Sequence, residues 1–276
     1  MSHAQKRAFE AAKVAQQRRE GMGGPFRDAF FKSRDTAGIV THPLASLLSN
    51  SSGTGGGGRG GKTRVLLYIS LLWVAGGGEH TSHRPASFWA ALLDLENPDG
   101  AGSRVIRSTW KELEKRSLVA TEPGAASGDV PTIRALREDR SGEKYTIPTG
   151  QSGDTYRRIP ELAWRMLFPS PDLTGPGLVM YLISLRTHGQ ANGGEMTFPR
   201  NYISTEYGIS DSTRKAGLRN LVENGVLIHE GTSKESGATA ARLRGRNIYT
   251  LAPIFAPPAA PAAVAPSAAG GAVSSP

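Results

Sequence analysis

The chain contains no cysteine, which excludes disulfides and thiol chemistry and fits a reducing cytosol. It also lacks any apolar run approaching the ~20 residues of a membrane span; the longest, Val65 to Ala75, is too short. The N-terminus has no signal-peptide core, so the expected location is the cytoplasm. Acidic residues are in deficit: 24 Asp and Glu against 33 Lys and Arg give a net charge of +9. That balance favours a polyanionic partner, either nucleic acid or an anionic membrane surface. No nucleophile elbow is present, and spacing alone places no carboxylate pair around a cleft. The expectation is a protein that is not an enzyme and holds neither cofactor nor metal.

What is present centres on Phe198 to Leu227. Pro199 opens a short helix, Gly208 breaks it, and the Ser210 hydroxyl can cap the start of a second helix. On that second helix Gly217, Leu218 and Leu221 share one side. Ser212, Lys215 and Arg219, at i, i+3 and i+7, share the other. Gly225 ends it, and Val226-Leu227-Ile228 begins an apolar strand.

The chain repeats this order. Tyr68-Ile69-Ser70-Leu71 recurs 114 positions on as Leu182-Ile183-Ser184-Leu185, and Pro85 recurs as Pro199. Trp110 and Leu113 recur 108 positions on as Leu218 and Leu221, and Leu118-Val119 matches Val226-Leu227. Lys144 to Ile147 resembles Ile248 to Leu251, and Thr41 to Ala45 resembles Arg158 to Leu162. In the first copy Ile106, Thr109, Trp110 and Leu113 form the stripe expected to pack. Arg104, Arg107 and Lys111 form the opposite stripe, at the positions of Ser212, Lys215 and Arg219. Arg214 falls where the first copy has inward-facing Ile106. Either its stem packs while the guanidinium reaches out, or the second helix is rotated from this register.

Two helices joined by a tight turn, the second divided into apolar and cationic faces, then a strand pair, resemble the winged-helix DNA-binding family. The resemblance implies an α+β, mainly helical fold of two tandem winged-helix domains with flexible termini. It also implies double-stranded DNA as partner, the second helix of each pair in the major groove and the wing beside it. Arg104, Arg107, Lys111, Ser212, Lys215 and Arg219 are the expected helix contacts. Hairpins are expected from Leu118–Thr121 with Thr132–Leu136, and from Val226–Glu230 with Asn247–Leu251. Arg242, Arg244 and Arg246 alternate before the last strand and, if extended, share one face, where a wing meets phosphates or the minor groove.

Two other motifs carry chemistry on paper. Gly56 to Thr63, GGGRGGKT, satisfies the G-x-x-x-x-G-K-[ST] pattern of a phosphate-binding loop. Seven of the nine residues from Gly53 to Gly61 are glycine, so the match is cheap. No strand runs into it, and helices and hairpins follow where a parallel sheet is needed. The reading is therefore a flexible insertion, with a nucleotide-binding protein as the remote alternative. Glu79-His80-Thr81-Ser82-His83 offers two imidazoles to a metal, but in a glycine-flanked loop without further ligands nearby.

The organisation expected is a basic N-terminal arm over residues 1–34 that orders on a partner, and a first winged-helix domain over 35–150 with an insertion at 51–61. A second domain over 151–254 and a disordered Ala/Pro-rich tail over 255–276 complete it. Tandem winged helices in one chain, each led by an extended segment with a proline, look like plasmid replication initiators. The implied role is replication initiation at the nucleoid, with transcriptional regulation from a promoter operator as the alternative. Homo-oligomers or the replication or transcription machinery are possible further partners.

Overall fold

Val65–Trp73 and Leu178–Leu185 are apolar on every side, which suits helices surrounded by protein rather than lying at a surface. In the computed structural model both are. The structure describes residues 2–15, 22–35, 37–49, 59–75, 78–126, 128–191, 194–233 and 246–257. The elements run α1 (His3–Ala15), β1 (Met22–Arg27), β2 (Ser33–Arg34), β3 (Val40–Thr41), α2 (Pro43–Ser46) and α3 (Arg59–Val74). Then come β4 (Thr81–Ser82), α4 (Ala86–Leu92), α5 (Ser103–Glu114), β5 (Val119–Glu122), β6 (Thr132–Ala135) and β7 (Tyr156–Pro160). Last are α6 (Gly175–Gln190), α7 (Arg200–Tyr207), α8 (Asp211–Glu223), β8 (Leu227–Ser233) and β9 (Arg246–Leu251). The class is mixed, helices with small antiparallel sheets, compatible with α+β.

The repeat seen in sequence is a repeat of structure. A long buried helix, a short strand, two helices and a hairpin occur as α3-β4-α4-α5-β5-β6, with β4, β6 and β5 adjacent in one antiparallel sheet. They recur as α6, Met196, α7, α8, β8 and β9, where Met196 bridges Tyr249 beside the β8–β9 pair. One expected match is corrected. Lys144–Ile147 is not the counterpart of β9; β6 is. The Leu136 amide donates to the Leu118 carbonyl at 3.0 Å just as that of Ala252 donates to Val226 at 3.0 Å. Tyr145 instead turns inward, its hydroxyl donating to the Pro25 carbonyl at 3.2 Å. The likeness of Thr41–Ala45 to Arg158–Leu162 is not local structure either: Pro43 opens α2, whereas Pro160 closes β7.

The N-terminal segment also differs from expectation. Rather than an arm awaiting a partner, α1 buries Gln5, Ala8, Phe9 and Ala12 against α3 and α4, and Phe9 meets Trp73 with ring centroids 5.3 Å apart. The face is made mainly of small residues, so its apolar stripe looks thin in sequence although it fits closely. β1 pairs antiparallel with β7, 129 or more residues away, and thereby ties the N-terminus to the lead-in of the second half. Buried side chains of both halves form one continuous cluster, and α3 touches α6 within it. Of the glycine-rich insertion, residues 51–58 lie outside the described residues, while Arg59–Gly61 already belong to α3. At the other end Phe255 is buried and its carbonyl accepts from the Tyr181 hydroxyl at 3.0 Å. The rest of the expected tail, 258–276, lies outside the described residues.

Gly217 sets how closely α8 lies on α6. A Cβ at Gly217 would stand 2.5 Å from the Pro176 carbonyl oxygen and 2.5 Å from Met180 Cγ. The first of these is backbone and cannot swing aside. Gly217→Ala is expected to cost about 1–3 kcal/mol by overpacking, read as a lower urea midpoint at unchanged slope.

Candidate nucleic-acid interface

In the first half α5 follows directly on a π-helical turn, Pro98–Gly102, that packs against α4. Asn97 is left-handed (φ 47°), and Gly102 lies 3.1 Å, by an added Cβ, from Ala90 on α4, so only a minimal side chain lets α4 and α5 cross there. Trp89 on α4 meets Trp110 on α5 edge to face at 5.5 Å. Ile106, Thr109, Trp110 and Leu113 are all buried, as the periodicity predicts. Arg104, Arg107 and Lys111 are exposed, and among the described residues no hydrogen bond or ion pair occupies them. Sequence reasoning missed that Ser108 and Lys115 extend the same face, although their i+4 and i+11 spacing from Arg104 carried the signal.

The second half follows its sequence closely. Gly208 is left-handed (φ 65°) at the end of α7, and the Ser210 hydroxyl accepts from the Thr213 amide at 3.2 Å to cap α8. Gly217, Leu218 and Leu221 are buried, while Ser212, Lys215 and Arg219 are exposed. Lys215 is 3.0 Å from Asp211 and Arg219 is 4.0 Å from Glu223. Such surface pairs contribute little and release readily to a phosphate. Hydrogen bonds from Arg214 and Lys215 hold the Asp211 carboxyl below its ordinary range. Arg214 is the inward residue of the register: its side chain is 16% exposed. The guanidinium turns back to Asp211 at 2.6 Å and to the Phe198 carbonyl at 3.0 Å, fastening the start of α8 to the segment before α7.

The two hairpins are unlike each other. β8 and β9 pair as expected, with Arg246 exposed at the foot of β9 on the face of Ile248 and Thr250. Arg242 and Arg244 lie outside the described residues. The loop between β5 and β6 carries no cation, and Asp129 closes it by accepting from the Ala126 amide at 2.7 Å. Arg134 beside it is held by Glu122 at 3.1 Å and Glu79 at 3.2 Å.

The phosphate-loop pattern is built differently from a phosphate cradle. Gly60 and Gly61 are helical residues of α3, and Lys62 donates to the Ser170 carbonyl at 2.7 Å. Burial lowers the Lys62 ammonium below its ordinary range, with the Asp172 charge opposing. Lys62 and Thr63 line an open cavity of about 820 Å³ between the halves, together with Leu93, Pro171, Thr174 and Asn220. All sheet pairings are antiparallel among the described residues. Of the two candidate imidazoles, buried His80 has Nδ1 3.0 Å from the Ala75 carbonyl and His83 has Nδ1 3.0 Å from Thr132 Oγ1. Among the described residues no three His, Asp or Glu side chains converge on a metal position. No helix among the described residues is long and apolar enough to cross a membrane.

No family of known proteins, no curated protein and no solved structure matches the chain.

Proposed function

We propose that the chain binds double-stranded DNA through two winged-helix units and serves as the replication initiator of a plasmid or mobile element. One observation carries the reading: the same helix, strand, helix, helix and hairpin order occurs twice. In each copy the third helix presents a polar or cationic face at matched positions, Arg104 with Ser212, Arg107 with Lys215 and Lys111 with Arg219. An exposed helix bearing guanidinium and ammonium groups at this spacing can lie in a major groove, meeting guanine edges or phosphates. The net charge of +9 supports the same partner. Because the first wing is acidic, phosphate contact from a wing is assigned to the second half alone, with Arg246 at its foot.

Titration with duplex DNA at several salt concentrations tests the reading. The logarithm of the affinity is expected to fall linearly with the logarithm of salt, by about 0.9 per phosphate contacted; a flat response sinks it. Footprinting then separates roles: protection of repeated sites at an origin supports initiation, and protection of a promoter supports a transcriptional regulator. Lys62→Ala is expected to leave duplex affinity unchanged, and calorimetry to show no magnesium-dependent ATP or GTP binding. Nucleotide binding abolished by that substitution would instead revive a phosphate-loop function.

A further inference from the structure

The face that α5 turns outward holds one side chain that charge does not explain. Val105 is 43% exposed, the only large apolar residue of α5 that is not buried. A β-branched residue is a poor choice for a helix, and here its burial is only partial. Its exposed neighbour one turn on is Ser108, so an apolar side chain stands beside a group suited to polar contacts. Val105 also lies in the first turn of α5, and the N-terminal residues of a recognition helix are the ones that reach base edges. Its backbone is fixed: its carbonyl accepts from Ser108 Oγ at 2.9 Å and from Thr109 Oγ1 at 2.8 Å.

The counterpart 108 positions on is Thr213, which also bears a methyl group. That residue is only half-exposed, and its hydroxyl is 2.8 Å from Ser210 Oγ in the cap of α8. Its place is explained by the cap. The same position in α5 has no such duty: Gly102 precedes that helix and offers no side-chain cap. In the major groove the group complementary to an exposed aliphatic side chain is the C5 methyl of thymine.

We propose that Val105 is a specificity-determining residue that packs on a thymine methyl within the half-site read by α5. The assignment rests on the DNA-binding reading above and adds to it one base and one residue. Its test starts from the duplex that the wild-type protein selects. Each thymine of the α5 half-site is replaced singly by 2′-deoxyuridine, which removes the methyl group and nothing else. Wild type is expected to lose about 3- to 5-fold in affinity at one thymine, the effect of one methyl-sized group withheld from burial. Val105→Ala is expected to lose a similar factor on the thymine duplex, and then to show no further loss when that thymine becomes deoxyuridine. Val105→Thr, which keeps a methyl at nearly the same volume, is expected to retain part of the discrimination, and melting curves of both variants should overlay wild type. Indifference of wild type to every deoxyuridine overturns the assignment. So does a Val105→Ala protein that remains as sensitive to the substitution as wild type. Failure of the wild-type protein to bind any duplex shows in the first titration; it defeats the DNA-binding reading itself, and this assignment with it.

Discussion

Replacing Arg27 by methionine is expected to destabilise the protein by about 3–5 kcal/mol, the cost of stranding one partner of a buried ion pair. Glu138 is fully buried, and Arg27 meets it twice, through its backbone amide at 3.0 Å and through Nη1 at 3.0 Å. The same guanidinium donates to Asp154 at 2.6 Å and to the Thr146 carbonyl at 2.7 Å. Arg27 therefore joins β1 to the segment after β6 and to the lead-in of β7. Burial opposes its charge, yet Glu138 and Asp154 hold it raised.

The pH dependence of the loss identifies its cause. Burial pushes the Glu138 carboxyl above its ordinary range even with Arg27 beside it. A carboxyl whose folded value lies above its unfolded value is a burden that grows as pH rises between the two. In Arg27→Met, with the countercharge gone, that burden is larger, and it lifts as the pH falls. Asp154 works in the opposite sense. Burial pushes it upward, but hydrogen bonds from Thr149 and Arg27 prevail and hold it low, so it contributes stability above its unfolded value and loses it in acid. Urea melts should thus show the gap between variant and wild type narrowing from about pH 7 to about pH 4.5. Arg27→Met with Glu138→Leu should recover much of the loss, since an apolar pair removes the stranded charge. A gap that stays constant with pH, and no recovery in the double variant, would mean that lost packing rather than charge sets the cost.

The part of this fold that sequence made legible is the part governed by local rules. Gly208 ends α7 in the left-handed region because glycine alone enters it without strain, and Ser210 caps α8 because a hydroxyl can reach back to the Thr213 amide. The buried stripe of α5 and the exposed cations opposite follow from a period of 3.6. What stayed hidden depends on partners far along the chain. The buried face of α1 is Gln5, Ala8, Phe9 and Ala12, weakly apolar and meaningful only once Trp73 lies against it. β1 contains Gly23, Gly24 and Pro25, a poor strand by propensity, and forms because β7 supplies its partner. Arg27, Asp28 and Lys32 look like solvated surface charges, but each has a carboxylate or guanidinium partner more than 100 residues away. Arg214 shows a mixed case: its inward position was legible from the repeat, whereas its bond to the Phe198 carbonyl was not.

That shared core also determines how a DNA site would be divided. Alanine in place of both Lys215 and Arg219 is expected to weaken binding at about 1–3 kcal/mol for each side chain that reaches a base edge, and to relax sequence preference in one half of the site only. Alanine in place of Arg104 and Arg107 should relax the other half. Arg214→Ala is the control: its ion pair and its bond to Phe198 lie within the fold, so stability should fall more than preference changes. Two winged helices on a flexible linker would let the halves of the site move apart, but α3 packs on α6 and β1 pairs with β7. Arg186 adds to the seam, held by Glu206 at 3.1 Å while its guanidinium lies 5.4 Å from the Phe31 ring and 5.3 Å from that of Tyr207. The spacing from α5 to α8 is consequently fixed by packed side chains. Inserting five base pairs between the half-sites turns one about half a helical turn away, and ten restores the facing but adds about 34 Å. Both insertions should reduce binding to that of a single half-site, matching the Lys215 and Arg219 double variant on the uninterrupted duplex. Recovery at ten base pairs would show that the halves part on DNA, and relaxation of the same base pairs by the α5 and α8 variants would show that they do not read separate halves.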